Sequence, residues 1–273
     1  MAPYQHRTIR VGDIKTHFLE AGSGPDLLLL HGGEYGASAE ITWKHSIEAL
    51  AQQFHVIAPD ILGWGETDKI YSFSDPAGYR ISHMKRFLET TGVSKAYFVG
   101  NSAGGGLILR ASVLDPAPFQ IRKMVTICGN ASVFKTESQA DLENYTPSLV
   151  NMKKIVALLY HDPKWQSEEN IRERYESSII PGAWEALSAA RLRSPVHQAR
   201  SSTEEFVKKL SRLQVPLLIM SCEHDPLNQR DWDINFQKIV PGSRVHRFKH
   251  SAHEPQIEEP DEFNRVLSEF LLS

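Results

Sequence analysis

Short apolar runs that stop abruptly at turn residues recur along the chain. Leu27 to Leu30 stops at His31-Gly32-Gly33, His55 to Ala58 at Pro59-Asp60, and Tyr97 to Val99 at Gly100-Asn101-Ser102. Met124 to Cys128 stops at Gly129-Asn130, Pro216 to Met220 at Ser221, and Val245 to Phe248 at Lys249-His250. Unbroken apolar runs of this kind are how strands buried on both faces of a parallel sheet read. Between them, Trp43 to Phe54, Tyr79 to Thr90, Ala103 to Leu114 and Pro260 to Leu272 carry apolar positions at helical spacing. Strands alternating with helices predict an α/β fold built on a mostly parallel central sheet flanked by helices. Ligands of such sheets bind at the carboxyl ends of the strands, so the residues just after each run are the ones to inspect for chemistry.

One stretch breaks the alternation. From Ala131 to about Arg200 helical patterns continue without a strand-like run, punctuated by Pro147, Pro163, Pro181 and Pro195. A structureless loop of that length is not expected in a compact domain, so the reading is a helical lid over the crevice. The expected organisation is a core domain of residues 1–130 and 201–273 with a helical lid, or cap, at 131–200. The alternative is that the same helices are ordinary crossovers of a larger sheet.

Composition narrows the function classes without choosing one. The chain has 273 residues, with 30 Lys and Arg against 33 Asp and Glu, a net charge of −3. That balance argues against a nucleic-acid or polybasic membrane surface. Two cysteines, Cys128 and Cys222, make neither a disulfide framework nor a metal cluster. The segment Met1 to Phe18 lacks the apolar run of a secretion signal. No run approaches the ~20 apolar residues a spanning helix needs, and the expectation is a soluble, cytoplasmic protein. No Walker-type or dinucleotide glycine loop follows the first strand, and the histidines lack ligand spacing. Neither a metal nor another cofactor is expected.

Gly100-Asn101-Ser102-Ala103-Gly104 fits G-x-S-x-G, preceded by a strand and followed by a helix. This spacing makes a sharp strand-to-helix turn that exposes the serine hydroxyl, and glycines let the turn close tightly. A serine hydroxyl is a weak nucleophile unless a base lies within hydrogen-bond reach and a third group orients that base. Asp225 follows the Pro216–Met220 run and His253 follows the Val245–Phe248 run, with Glu223 and His250 as their neighbouring rivals. Ser102, Asp225, His253 is the chain order of an α/β-hydrolase triad. His31-Gly32-Gly33 ends the first of these apolar runs, where a backbone donor for an oxyanion is expected, so Gly33 and Ala103 are the candidate oxyanion hole. Trp64, Trp165 and Trp184 are candidates to line a pocket, although aromatic residues are more often core.

With these elements in order, the sequence resembles the α/β-hydrolase superfamily over essentially its whole length. Asp60-Ile61-Leu62-Gly63-Trp64-Gly65-Glu66-Thr67-Asp68 resembles the superfamily loop D-x-x-G-x-G-x-S-D, with Thr67 for the serine. More narrowly, the chain is similar to the meta-cleavage product hydrolases, which hydrolyse a carbon–carbon bond in 2-hydroxy-6-oxo-dienoates from aromatic degradation. The matching segments are Gly100–Gly105, Gly36-Ala37-Ser38, Arg174-Tyr175-Glu176-Ser177-Ser178 with Pro181-Gly182, and Asp261-Glu262-Phe263-Asn264-Arg265.

The resemblance implies an α/β-hydrolase fold, a small-molecule carbonyl substrate, and substrate binding by Arg174, Asn101, Thr42 and Glu254. Arg174 would hold the dienoate carboxylate, with Asn101 helping at the same polar end. A homodimer is consistent with the resemblance. Three positions depart from the family pattern: Glu254 replaces the usual Trp after the catalytic histidine, Glu34 and Tyr35 interrupt G-P-G, and Thr42 replaces a substrate-contacting asparagine. Carboxylates at 34 and 254 oppose an anionic substrate. A carboxylesterase or lactonase, and a non-catalytic ligand-binding protein on the same fold, stay open beside the carbon–carbon hydrolase.

Overall fold

The computed structural model describes residues 4–134, 136–192 and 203–273. Eight strands form a single sheet: β1 Gln5–Val11, β2 Ile14–Ala21, β3 Asp26–Leu30, β4 His55–Pro59, β5 Lys95–Asn101, β6 Gln120–Ile127, β7 Leu217–Cys222 and β8 Arg244–Phe248. Their spatial order is β1-β2-β4-β3-β5-β6-β7-β8. β1 and β2 run antiparallel to their neighbours and the other six strands are parallel.

The alternation of core contacts explains why the apolar runs are unbroken. Leu28 and Leu30 of β3 pack into one core with Ile57, Phe98, Met124 and Ile219. Leu27 and Leu29 pack into the other core with Val56, Val99, Val125 and Met220. Side chains alternate across a strand, so a strand covered on both faces is apolar at every position.

All six expected strands are present. The hairpin β1/β2 was not expected from the apolar pattern, because most of β1 is exposed and only Val11 is buried. The expected helix from Trp43 to Phe54 is instead two short helices, Ala39–Trp43 and Ile47–Leu50. The first is capped by Ser38, whose hydroxyl accepts from the Ile41 N–H at 3.1 Å. Pro76–Thr91, Ala103–Ser112 and Pro260–Leu272 are helical, close to the expected spans.

Between residues 131 and 192 the described residues contain helices Gln139–Glu143, Leu149–Leu159, Glu168–Ser178 and Ala183–Ser188, and no strand. They share a third apolar cluster in which Tyr145, Met152, Ile155, Leu159 and Ile171 pack with Tyr35, Leu227 and Ile257 of the sheet's loops. The end of the expected lid, 193–200, lies outside the described residues, as do 201 and 202. Among the described residues no helix is long and apolar enough to cross a membrane.

Candidate functional site

Ser102 stands at the end of β5 with φ +48° and ψ −111°, a conformation that an L-residue adopts only under constraint. The constraint comes from both sides. The Ser102 N–H donates to the Ile127 carbonyl at 2.7 Å, and the Ser102 carbonyl accepts from the Gly106 N–H at 2.9 Å. A Cβ on Gly104 would lie 2.5 Å from the Leu30 carbonyl oxygen, so only glycine lets the following helix sit this close to β3.

His253 and Asp225 come together from the loops after β8 and β7. The His253 Nδ1 lies 3.0 Å from both Asp225 carboxylate oxygens, and the two side chains are 2% and 1% exposed. The Asp225 carboxylate also accepts from the Leu227 N–H at 2.9 Å and the Asn228 amide at 2.7 Å. Burial works against its charge, but the adjacent His253 and these hydrogen bonds hold its pKa below the usual value. Burial likewise disfavours the imidazolium, yet Asp225, helped by Glu34 and Glu254, raises the His253 pKa above its ordinary value. The His253 Nε2 is buried without a hydrogen-bond partner among the described residues. The rivals lie elsewhere: His250 and Glu223 are exposed, and Glu223 faces Arg247 at 3.5 Å.

A cavity of about 610 Å³ opens beside this group, lined by Gly33, Ser102 and Ala103 together with Glu34 and Trp64. Gly33 and Ala103 are side by side, since a Cβ on Gly33 would fall 2.6 Å from that of Ala103. His31 fixes the loop carrying Gly33: its Nε2 accepts from the Ile61 N–H at 2.9 Å, and its Nδ1 donates to the Gly32 carbonyl at 2.7 Å. Burial lowers its pKa, which keeps the ring neutral and able to accept. Trp165 and Trp184 do not line this cavity.

The four expected substrate contacts lie behind the cavity wall rather than on it. Asn101 is fully buried and donates to the His253 carbonyl at 3.1 Å, tying the end of β5 to the loop after β8. Thr42 is fully buried, and its hydroxyl has no partner among the described residues. Arg174 is 1% exposed, and its guanidinium is already shared between two carboxylates of the chain. It donates to Glu34 Oε1 at 2.7 Å and to Glu254 Oε2, and to the Tyr160 hydroxyl at 2.6 Å. The glycine at 36, with φ +83°, brings the loop after Glu34 against the Arg174 carbonyl, which a Cβ there would approach to 2.2 Å. The sequence marks Glu34 and Glu254 as departures. Tyr160, as the third partner of Arg174, carries no sequence signal.

Among the described residues, two groups have metal-ligand atoms within 4.8 Å of one another: Cys128, Asp225 and His253, and His6, His17 and Glu66. In the first, burial pushes the Cys128 thiol well above its usual pKa and so opposes the thiolate a metal requires. In the second, His6 Nδ1 and His17 Nε2 share a hydrogen bond at 3.1 Å.

Residues 27–266 match the alpha/beta hydrolase family. The chain is 26% identical over 266 residues to a 2-hydroxy-6-oxo-2,4-heptadienoate hydrolase of Pseudomonas putida, an alignment covering 97% of this chain and 95% of that one. A 2-hydroxymuconate semialdehyde hydrolase, also of Pseudomonas putida, is 28% identical over 273 residues, covering 99% and 95%. Among solved structures, a meta-cleavage product hydrolase from Pseudomonas fluorescens superimposes with a TM-score of 0.86 at 28% identity, covering 97% of this chain and 96% of that one.

Proposed function

The chain is a hydrolase of the alpha/beta hydrolase family, and from that premise we propose that it cleaves a small carbonyl compound through a Ser102-His253-Asp225 triad. The observation that carries this reading is the buried His253–Asp225 pair at 3.0 Å, tied through Asn101 to a serine held at φ +48° on the cavity wall. His253 takes the proton as Ser102 Oγ attacks the carbonyl carbon, and Asp225 holds the ring in the required tautomer. The N–H groups of Gly33 and Ala103 receive the developing oxyanion. Collapse expels the leaving group, which takes its proton from His253, and water then releases the acyl group by the same steps. The helices between Gln139 and Ser188 act as a lid, with the Leu159 carbonyl accepting from the His253 N–H at 2.9 Å.

For the bond, kinship favours carbon–carbon hydrolysis in a dienol ketone of the 2-hydroxy-6-oxo-dienoate type, the substrate class in the relatives' names. Such a substrate ketonises first, so that the leaving carbon departs as a stabilised enolate. Hydrolysis of an ester or lactone is a second reading. A specific observation favours it: the arginine expected to hold a dienoate carboxylate is engaged by Glu34 and Glu254.

Steady-state turnover of a 2-hydroxy-6-oxo-dienoate and of a short-chain para-nitrophenyl ester by wild type and Ser102→Ala tests both readings. The substitution removes turnover by a factor on the order of 10⁴ or more. Turnover that survives in Ser102→Ala rejects the nucleophile, and the ratio of the two wild-type rates decides the bond class.

A further inference from the structure

The loops after β3 and β8 each place a glutamate on Arg174, and the resulting cluster has a charge and hydrogen-bond balance of its own. Arg174 Nη1 donates to Glu34 Oε1, Nη2 to Glu254 Oε2, and both Nε and Nη2 to the Tyr160 hydroxyl. Four of the five guanidinium N–H groups are thereby engaged within the protein. One cation faces two carboxylates, so with Glu34 ionised the cluster is neutral while Glu254 holds its proton and negative when both are ionised.

The other groups around the cluster are acceptors, and the Glu34 carboxylate also accepts from its own backbone N–H. A Cβ built on Gly32 would meet Glu34 Oε2 at 2.3 Å and Asn101 Oδ1 at 3.0 Å, so both oxygens lie over the backbone that leads into Gly33. Asn101 Oδ1 and Glu254 Oε1 are buried and have no hydrogen-bond partner among the described residues. Glu34 itself lines the cavity, alongside Gly33 and Ser102. The Asn101 and Glu254 oxygens lie behind the cavity wall, so the acceptor that a ligand's donor can meet is the Glu34 carboxylate on the wall itself. A carboxylate there would bring a third negative group and no donor. The cavity's other cations are held elsewhere: Arg80 stacks 4.5 Å from the Trp64 ring centre, Arg110 donates to the Ala131 carbonyl, and Arg191 to the Glu143 and Tyr145 carbonyls.

We propose that the Glu34 end of the cavity binds an uncharged hydrogen-bond donor of the substrate, a hydroxyl or amide N–H, and selects against a carboxylate at that position. Glu34 is the specificity-determining residue, and Glu254 supports it by holding the other side of the Arg174 guanidinium. The inference takes its substrate site from the serine hydrolase reading, and for a dienoate it requires the carboxylate to lie away from Glu34.

A matched pair of ligands tests it: the half-amide and the half-acid of a succinyl para-nitrophenyl ester, which differ by one terminal group. Binding to Ser102→Ala, measured calorimetrically, needs no turnover. The half-amide binds about tenfold or more tightly than the half-acid. Adding Glu34→Gln lowers that ratio to about threefold or less, because the facing charge is gone, whereas Glu34→Asp keeps the charge and the preference. Equal or tighter binding of the half-acid overturns the proposal. So does a half-amide that fails to bind, or a ratio indifferent to Glu34→Gln in a protein whose circular dichroism is unchanged. Should Glu34→Gln not fold, the ratio in Ser102→Ala still decides. Wild-type turnover of the half-amide is read separately: a missing rate with an intact binding preference sinks the ester reading alone.

Discussion

His253 sits where opposing effects on one ring can be ranked. Burial favours the neutral imidazole, and Asp225, Glu34 and Glu254 favour the cation; the carboxylates win, and the pKa is raised. A base works deprotonated, so activity falls as pH drops through that raised value. The acidic limb of kcat/KM is therefore expected above the ordinary histidine value of 6.5. In Glu34→Gln the limb moves to lower pH, since one charge that raises the pKa is removed. A limb that stays in place in this variant would remove Glu34 from the field at His253. Asp225→Asn keeps one acceptor oxygen for the Leu227 and Asn228 donors instead of two, and disfavours the working tautomer, with an expected loss in kcat of about 10⁴. Single-turnover acylation by this variant, beside its melting curve, separates a chemical defect from unfolding.

At the level of elements, the site depends on how closely one helix approaches one strand. Ala103–Ser112 starts against β3, with the α-carbon of Gly104 facing the carbonyl oxygens of Leu30 and His31. A Cβ at this position would lie 2.5 Å from one oxygen and 2.6 Å from the other, and neither atom belongs to a flexible side chain. Gly104→Ala must move the helix away from β3, with Ser102 at its head. The expected cost is about 2–3 kcal/mol in urea unfolding, with a fall in kcat larger than that in binding. A variant of wild-type stability and activity would mean the turn has slack that the contact distances deny. This element was legible in the sequence, because a strand-turn-helix with glycines is a local pattern. So were the six parallel strands, whose two-sided burial makes them apolar at every position. The β1/β2 hairpin was not, since a half-exposed edge such as Gln5–Val11 carries no such run. The engagement of Arg174 was also not legible. Its partners stand 140 and 80 residues away in the chain, and no spacing rule connects them; only the unusual glutamates at 34 and 254 marked the place.

For the whole molecule, the buried cluster links folding to pH. Burial first, and then the repulsion of Glu34, push the Glu254 pKa up from 4.5 to about 7 against the pull of Arg174. Below pH 4.5 the carboxyl is protonated in folded and unfolded chains alike, and it contributes no pH dependence there. Between 4.5 and about 7 the unfolded chain gives up the proton while the folded chain keeps it, so stability falls as pH rises. Above about 7 both forms are ionised and the loss levels off. His253, also raised, works in the same direction near and above its ordinary pKa, but it is present in both proteins of a wild-type and Glu254→Gln pair and largely cancels. Glutamine cannot titrate. Glu254→Gln also removes one partner of a buried cation, a cost that lowers its melting temperature at every pH. The melting temperature of wild type minus that of Glu254→Gln is therefore expected to shrink from about pH 5 to about pH 7 and to level off by about pH 8. Parallel melting curves across that range would show that Glu254 is ionised at pH 5 in the folded chain. In that case the cluster carries a full negative charge throughout, and its rejection of a carboxylate would be independent of pH.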